Sequence, residues 1–336
     1  MNPIGRVAVL GAGSWGTTMA SIAATNAQAT IWARDPDLAA EIHGLHKNSR
    51  YLGERPLAPG LRATSDLELA VAGADVVAFG IPSRSLRQVA RDVAPFLRPD
   101  IPVVSLAKGL ERETRLRPSQ VLAQELPDHP IAVLSGPNLA REVLDGLAAA
   151  AVIATPDPDV ARPLQDVFRT ELFRVYRNQD VLGSELGGIL KNIVAIATGM
   201  AEGLSVGDNT RAMVITRGLA EMTRLGVAMG ADPHTFTGLT GMGDVIATCS
   251  STLSRNRHVG LELGRGRGID EIIADMNQVA EGVVTARPVV ELAAEHDVDL
   301  PIATEVDAVV NEGRSAAEAY RGLRSSAPES EKHSVA

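Results

Sequence analysis

The chain has 336 residues, enough for two domains with separate cores, and its 45% apolar and 22% charged content is that of an ordinary water-soluble globular protein. A formal charge of −9 argues against a general nucleic-acid binder, which needs a basic face, but leaves room for small anions held by a few arginines, lysines and helix N-termini. Cys249 is the only cysteine, which rules out an intrachain disulfide and a cysteine zinc site; the N-terminus shows no signal-peptide pattern, no apolar run approaches the roughly 20 residues of a membrane span, and the expected setting is a reducing cytoplasm.

With aromatics at 3%, the cores must be built from Ala, Val, Leu and Ile. In chain order, β-branched runs predict strands at Arg6–Leu10, Ala29–Ala33, Asp75–Ile81, Pro102–Ala107, Ile131–Ser135, Ala149–Thr155 and Phe173–Tyr176. Helical stretches lie between them, among them Asp66–Ala72, opened by Thr64-Ser65-Asp66, and Ser85–Phe96. Strand and helix in alternation mean a mostly parallel sheet with crossover helices, the α/β Rossmann type.

The first strand runs into Gly11-Ala12-Gly13-Ser14-Trp15-Gly16, which opens a helix. Gly11 permits the tight turn, Gly13 lets the backbone approach a pyrophosphate, and Gly16 lets helix and strand pack closely, so this is a dinucleotide-binding loop. Arg34 and Asp35 follow the second strand, 18 and 19 residues past Gly16. An acid there suits the ribose 2′-hydroxyl of NAD and an arginine the 2′-phosphate of NADP. Asp35, before Pro36, could equally be a turn or cap residue, and the charge argument favours NADP.

Three later strands end in Gly80-Ile81-Pro82-Ser83, Ser105-Leu106-Ala107-Lys108-Gly109 and Ser135-Gly136-Pro137-Asn138, on the rim where such sheets collect ligands. Lys108 is the one cation among these ends, which favours a site role over a surface lysine.

Near Asp180 the period changes. Leu186, Ile189, Leu190, Ile193, Ala197 and Met200 recur at helical spacing, and further helices are predicted at Thr210–Met229 (Asp208-Asn209 as caps), Asp244–Ser250, Asp270–Asp275, Thr285–His296 and Thr304–Asn311. The expected organisation is a Rossmann domain at 1–180, an all-helical C-terminal domain at 181–324, and a polar, disordered tail at 325–336.

Lys191 lies in Gly187-Gly188-Ile189-Leu190-Lys191-Asn192, an apolar helix loosened by glycines. It either snorkels to water or sits in a partly buried cleft, where a lysine suits protonation of a ketone oxygen. Asp244, after a second glycine-rich turn, shares a helical face with Thr248, although an N-cap aspartate is the plainer role. Ser254-Arg255-Asn256-Arg257-His258 offers a fork-shaped cation beside an amide, suited to a phosphate monoester or simply a solvated basic loop. His43 and His46 lack a third strong ligand, so no metal is expected. Gly264-Arg265-Gly266-Arg267-Gly268 reads as a helix end and turn rather than a phosphate nest.

The ordered set Leu10–Thr17, His46-Lys47-Asn48-Ser49-Arg50-Tyr51-Leu52, Ala107–Glu111, Leu190-Lys191-Asn192, Gly207-Asp208-Asn209-Thr210, Gly241-Met242-Gly243-Asp244 and Ser254–Arg257 resembles the bacterial-type NAD(P)-dependent glycerol-3-phosphate dehydrogenases, from about Val7 to Leu323. The resemblance implies a Rossmann domain followed by a helical one, catalysis in the cleft between them, and interconversion of dihydroxyacetone phosphate and sn-glycerol 3-phosphate for glycerophospholipid synthesis. By motif, Lys191 is the proton donor and acceptor, with Lys108 and Asp244 as its catalytic companions. Gly136, Asn138, Asn192, Thr248, Ser254, Arg255 and Asn256 complete the substrate set, Arg255 gripping the phosphate of a three-carbon substrate. Gly11, Gly13, Ser14, Trp15, Gly16, Arg34, Lys108, Ala140, Arg255, Val279 and Glu281 fall to the cofactor, NADP or NAD. Leu139 and Ile189 depart from the family's usual residues. A homodimer is compatible with this resemblance. Two alternatives stay open on the residues: a related two-domain dehydrogenase acting on another hydroxy acid, and a non-catalytic nucleotide sensor.

Overall fold

The computed structural model describes residues 4–276 and 280–325, and the chain divides into two compact units. The first holds the chain up to Lys108 together with Leu116–Val181; the second holds Gly109–Arg115 and the chain from Leu182 onward.

The first unit is one sheet of β1 (Arg6–Leu10), β2 (Gln28–Trp32), β3 (Arg62–Thr64), β4 (Val76–Phe79), β5 (Val103–Ser105), β6 (Ile131–Ser135), β7 (Ala149–Ala154) and β8 (Phe173–Asn178), in the order β3-β2-β1-β4-β5-β6-β7-β8. Every pairing is parallel except β6 with β7. Its helices are α1 (Ser14–Asn26), α2 (Pro36–Leu45), α3 (Ser49–Leu52), α4 (Leu67–Val71), α5 (Ser83–Val93), α6 (Pro118–Glu125), α7 (Ala140–Leu144) and α8 (Pro158–Phe168). Side chains alternate along β1, Val7 and Val9 joining one apolar cluster and Ala8 and Leu10 another. A strand covered on both faces needs apolar residues at every position, which is why these strands read as unbroken runs.

All seven predicted strands form, β1 and β6 to the residue and the others with shifted ends. The runs at Asp75–Ile81 and Pro102–Ala107 pair only over Val76–Phe79 and Val103–Ser105, because their last residues turn into the rim loops. The strand not foreseen is β3, an edge strand of three residues, too short to show a period. Asp66 caps α4 by accepting the Leu69 N–H at 3.0 Å.

The second unit is helical: α9 (Val181–Gly203), α10 (Asp208–Ala228), α11 (Pro233–Thr237), α12 (Asp244–Ser250), α13 (Arg255–Gly264), α14 (Ile269–Ala274), α15 (Glu281–Glu295), α16 (Pro301–Asn311) and α17 (Ala316–Ser325). Four expectations are corrected. Gly207, with φ +88°, precedes α10 as its cap, so Asp208 and Asn209 are already helical. α15 and α16 begin earlier than predicted, at Glu281 and at Pro301, a residue pre-shaped for a first helical turn. Ser325 closes α17 rather than opening a tail, and 326–336 lie outside the described residues. Finally, α9 has 23 residues and is apolar enough to cross a membrane, but 89% of its most apolar window is buried in the protein, so it is a core helix.

Glycines do not loosen α9; they let backbone meet backbone. A Cβ on Gly199 would stand 2.1 Å from the carbonyl oxygen of Arg257, and one on Gly260 2.0 Å from that of Ile196. α9 and α13 therefore cross without side chains between them at these points. Around them pack Ile193, Ile196, Met200, Val259 and Leu263.

Glu221 of α10 is buried and accepts the Ile302 and Ala303 N–H groups at 2.8 and 3.3 Å, serving the open N-terminus of α16. Burial raises its carboxyl to about 7, against smaller lowering by those N–H groups and Arg224. A carboxyl with a folded pKa above its unfolded value stabilises fully below the unfolded pKa and loses that contribution as pH rises through the folded one. Unfolding by urea should therefore show the stability of the wild type falling, relative to Glu221→Gln, by on the order of 3 kcal/mol between pH 4.5 and 7.5. A difference that stays flat with pH would show that Glu221 does not titrate in this window.

Candidate active site

In the first unit β1 and β4 are neighbours from which the chain departs in opposite directions, the switch point where ligands settle. Three glycines interlock there. Gly11 has φ +108°, and a Cβ on it would lie 2.6 Å from the Gly80 carbonyl oxygen; one on Gly16 would lie 2.1 Å from that of Gly11. Gly13, by contrast, has nothing among the described residues within 4 Å of its Cβ position, so its open face can receive a ligand. The N-terminus of α1 follows, capped by no side chain, with Ser14 and Trp15 as its first residues. A dinucleotide fits this cradle: uncapped N–H groups and helix dipole face the place where phosphates would lie.

Gly80 was not among the expected cofactor residues, and a small residue closing β4 was its only signal. Asn48 was also missed as a positioning residue. Fully buried, it donates to the Ala12 carbonyl at 3.0 Å and to Thr17 Oγ1 at 2.8 Å, tying α3 to the glycine loop. Ser14 Oγ donates to the Tyr51 carbonyl at 3.3 Å.

Farther along the rim, half-buried Lys108 donates from Nζ to the Gly136 carbonyl at 2.8 Å, joining the ends of β5 and β6. Asn138 holds both amide atoms buried without a hydrogen-bond partner among the described residues, and so does Trp15 for Nε1. Orphaned buried groups on this rim are what a polar ligand would satisfy. Ala140 opens α7 beside them. Arg34 is exposed and makes no hydrogen bond or ion pair among the described residues. Asp35 takes the cap role, accepting the Asp37 N–H at 3.0 Å. His43 accepts the Ala63 N–H, and no group of three metal-ligating side chains gathers among the described residues.

In the second unit Lys191, Thr248 and Asp244 form a closed triangle. Lys191 Nζ donates to Thr248 Oγ1 at 2.7 Å and lies 3.1 Å from Asp244 Oδ1, to which Thr248 Oγ1 donates at 3.1 Å. Lys191 is 8% exposed and Asp244 1%, so the lysine does not snorkel and the aspartate does not cap. Their approach depends on a π-helical turn at Leu239–Gly243, whose Thr240 carbonyl would be 2.3 Å from a Cβ on Gly187. Glycine at 187 lets α9 lie against that turn and sets Lys191 opposite Asp244. Cys249, next to Thr248, has its thiol pushed up to about 11 by burial, which keeps it a protonated core group.

One turn along, Asn256 Nδ2 donates to Asn192 Oδ1 at 2.9 Å and its Oδ1 accepts the Gly282 N–H at 3.0 Å. Asn256 thus joins α9, α13 and the start of α15. Ser254 caps α13 by accepting the Arg257 N–H at 3.2 Å, so this basic segment is a helix start rather than a loop. Arg255 reaches solvent, while the protein packed about it draws its pKa below the usual guanidinium range; the charge of Glu281, at the start of α15, pulls the other way. Val279 lies outside the described residues. Arg265 and Arg267 pair with Glu262, Glu271 and Asp275, which removes them as phosphate ligands.

A glycine cradle at a Rossmann switch point, with a buried lysine–carboxylate pair in a helical unit, defines a dinucleotide-dependent oxidoreductase. The model of the NAD-dependent glycerol-3-phosphate dehydrogenase N-terminus matches residues 6–161, and that of the C-terminus of the same family matches residues 180–321. A glycerol-3-phosphate dehydrogenase [NAD(P)+] of Sphingopyxis alaskensis is 54% identical over 328 residues, 98% of each chain, and one of Mycobacterium avium is 54% identical over 329 residues, 98% of this chain and 96% of that one. A crystal structure of glycerol-3-phosphate dehydrogenase from Coxiella burnetii superposes with a TM-score of 0.92 at 36% identity, covering 96% of this chain and 99% of that one. The chain belongs to the NAD-dependent glycerol-3-phosphate dehydrogenase family.

Proposed function

We propose that the chain interconverts dihydroxyacetone phosphate and sn-glycerol 3-phosphate with NAD(P)H, in the cytoplasm, supplying glycerol 3-phosphate for glycerophospholipid synthesis, as a homodimer. The observation that carries this reading is the buried Lys191 ammonium held by Thr248 and Asp244. Family membership decides against the hydroxy-acid and sensor alternatives.

A bound dinucleotide would supply or accept the hydride at carbon 2. In the first unit Gly11, Gly13 and Gly16 shape its pyrophosphate seat, Ser14, Trp15 and Ala140 flank it, and Arg34 stands free for a 2′-phosphate. Lys191 Nζ gives its proton to the ketone oxygen as that oxygen gains charge, and takes it back in the reverse direction. Its charge also stabilises the developing alkoxide. Thr248 and Asp244 fix Nζ, so no reorganisation is needed when charge appears. Arg255 holds the substrate phosphate through paired hydrogen bonds, with Asn192, Ser254 and Asn256 supporting the same segment, so binding far from carbon 2 serves orientation. Lys108, Gly136 and Asn138 of the first unit carry polar groups suited to the substrate, and Glu281 of the second unit is suited to the cofactor.

Initial rates with dihydroxyacetone phosphate, using NADPH and NADH in parallel, test this. Turnover is expected with at least one cofactor, and Arg255→Ala should raise KM for the substrate about 100-fold. Absence of oxidation with both cofactors would refute the activity. A KM change confined to NADPH would refute the phosphate grip.

A further inference from the structure

We propose that Arg50 is a second guanidinium for the 2′-phosphate of NADP, held ready by Asp35, so that the Arg34-Asp35-Arg50 group selects NADP over NAD. This rests on placing the adenosine ribose at the end of β2.

The acid at the end of β2 is the residue that would hold a ribose 2′-hydroxyl. Here both of its oxygens are engaged: Asp35 Oδ1 accepts the Asp37 N–H at 3.0 Å, and Oδ2 pairs with Arg50 Nη1 at 2.8 Å. A carboxylate committed to a helix cap and a guanidinium has little left for a diol. The pairing also cancels the negative charge that would repel a phosphate. The segment presents two guanidiniums, Arg34 and Arg50, of which Asp35 answers one, while Asp37 adds a further acid in the first turn of α2. The hydrogen bond between them holds the Asp35 carboxyl below the usual carboxylate range and the Arg50 guanidinium above its own.

Arg50 is not on a loose loop. It sits on α3, whose preceding residue Asn48 is bolted to Ala12 and Thr17 of the dinucleotide loop, so its position is set by the same turn that seats the pyrophosphate. Its side chain remains 53% exposed, open to a ligand. Lys47, the other cation of the segment, is taken by Glu54 at 2.6 Å.

The test is calorimetric titration of the full chain and its Arg34→Ala, Arg50→Ala and Asp35→Asn variants with adenosine 2′,5′-bisphosphate and with ADP, alongside kcat/KM for NADPH and NADH. Arg50→Ala should weaken the bisphosphate about 10-fold, leave ADP within about 2-fold, and lower the NADPH-to-NADH ratio of kcat/KM by a similar factor. Asp35→Asn should tighten the bisphosphate. If Arg34→Ala weakens the bisphosphate while Arg50→Ala does not, the proposal fails and the β2 placement stands. If neither does, the placement fails as well. Equal weakening of both ligands by Arg50→Ala would make it a structural residue and overturn the proposal.

Discussion

Lys191→Met should lower kcat about 1,000-fold while changing KM for dihydroxyacetone phosphate by no more than a few-fold. A positioned general acid contributes roughly 100- to 10,000-fold, and a fixed charge beside a developing alkoxide adds to it. Methionine keeps the length and fills the apolar surroundings, so the change removes the proton and the charge and little else. It removes the ammonium that pairs with Asp244, itself 1% exposed, which should cost about 3 kcal/mol of stability. Far-UV circular dichroism and calorimetric binding of NADPH separate that loss from the catalytic one. A variant that folds, binds NADPH and turns over normally would remove Lys191 from the chemistry.

Gly260→Ala should destabilise the helical unit by about 3 kcal/mol or more, with activity lost in proportion. The added methyl would stand 2.0 Å from the Ile196 carbonyl and 2.9 Å from the Met200 nitrogen, both backbone atoms of α9. Neither can rotate away, so the helices must part and take Ile193, Met200 and Val259 out of register. Gly44→Ala is the control: this helical glycine of α2 has nothing within 4 Å of its Cβ position, and alanine there should stabilise by about 0.5–1 kcal/mol. Urea unfolding reads both. Equal stability for Gly260→Ala and the wild type would show that α9 and α13 can separate at no cost.

Legibility followed the physics of each element. β1 and β6 were readable to the residue because strands covered on both faces need apolar side chains throughout. β3 was hidden because its three residues pair at an edge with no pattern of their own. α9 was legible as a helix, but the reason for its glycines was not. Spacing shows where Gly199 and Gly260 lie in the chain and nothing of which carbonyl each faces.

The candidate residues show the same division. The linear pattern alone determined the dinucleotide loop, because turn, cradle and helix dipole all arise within six consecutive residues, Gly11 to Gly16. It also determined that Asp244 and Thr248 share a helical face. Whether Lys191 snorkels or is buried, whether Asp35 binds a diol or a guanidinium, and whether Asn256 is free or tied to Asn192 and Gly282 depend on contacts between different elements, 15 to 64 residues apart. Only the tertiary structure decides these, since a side chain's partners are set by packing between elements, and local sequence carries no record of that distance.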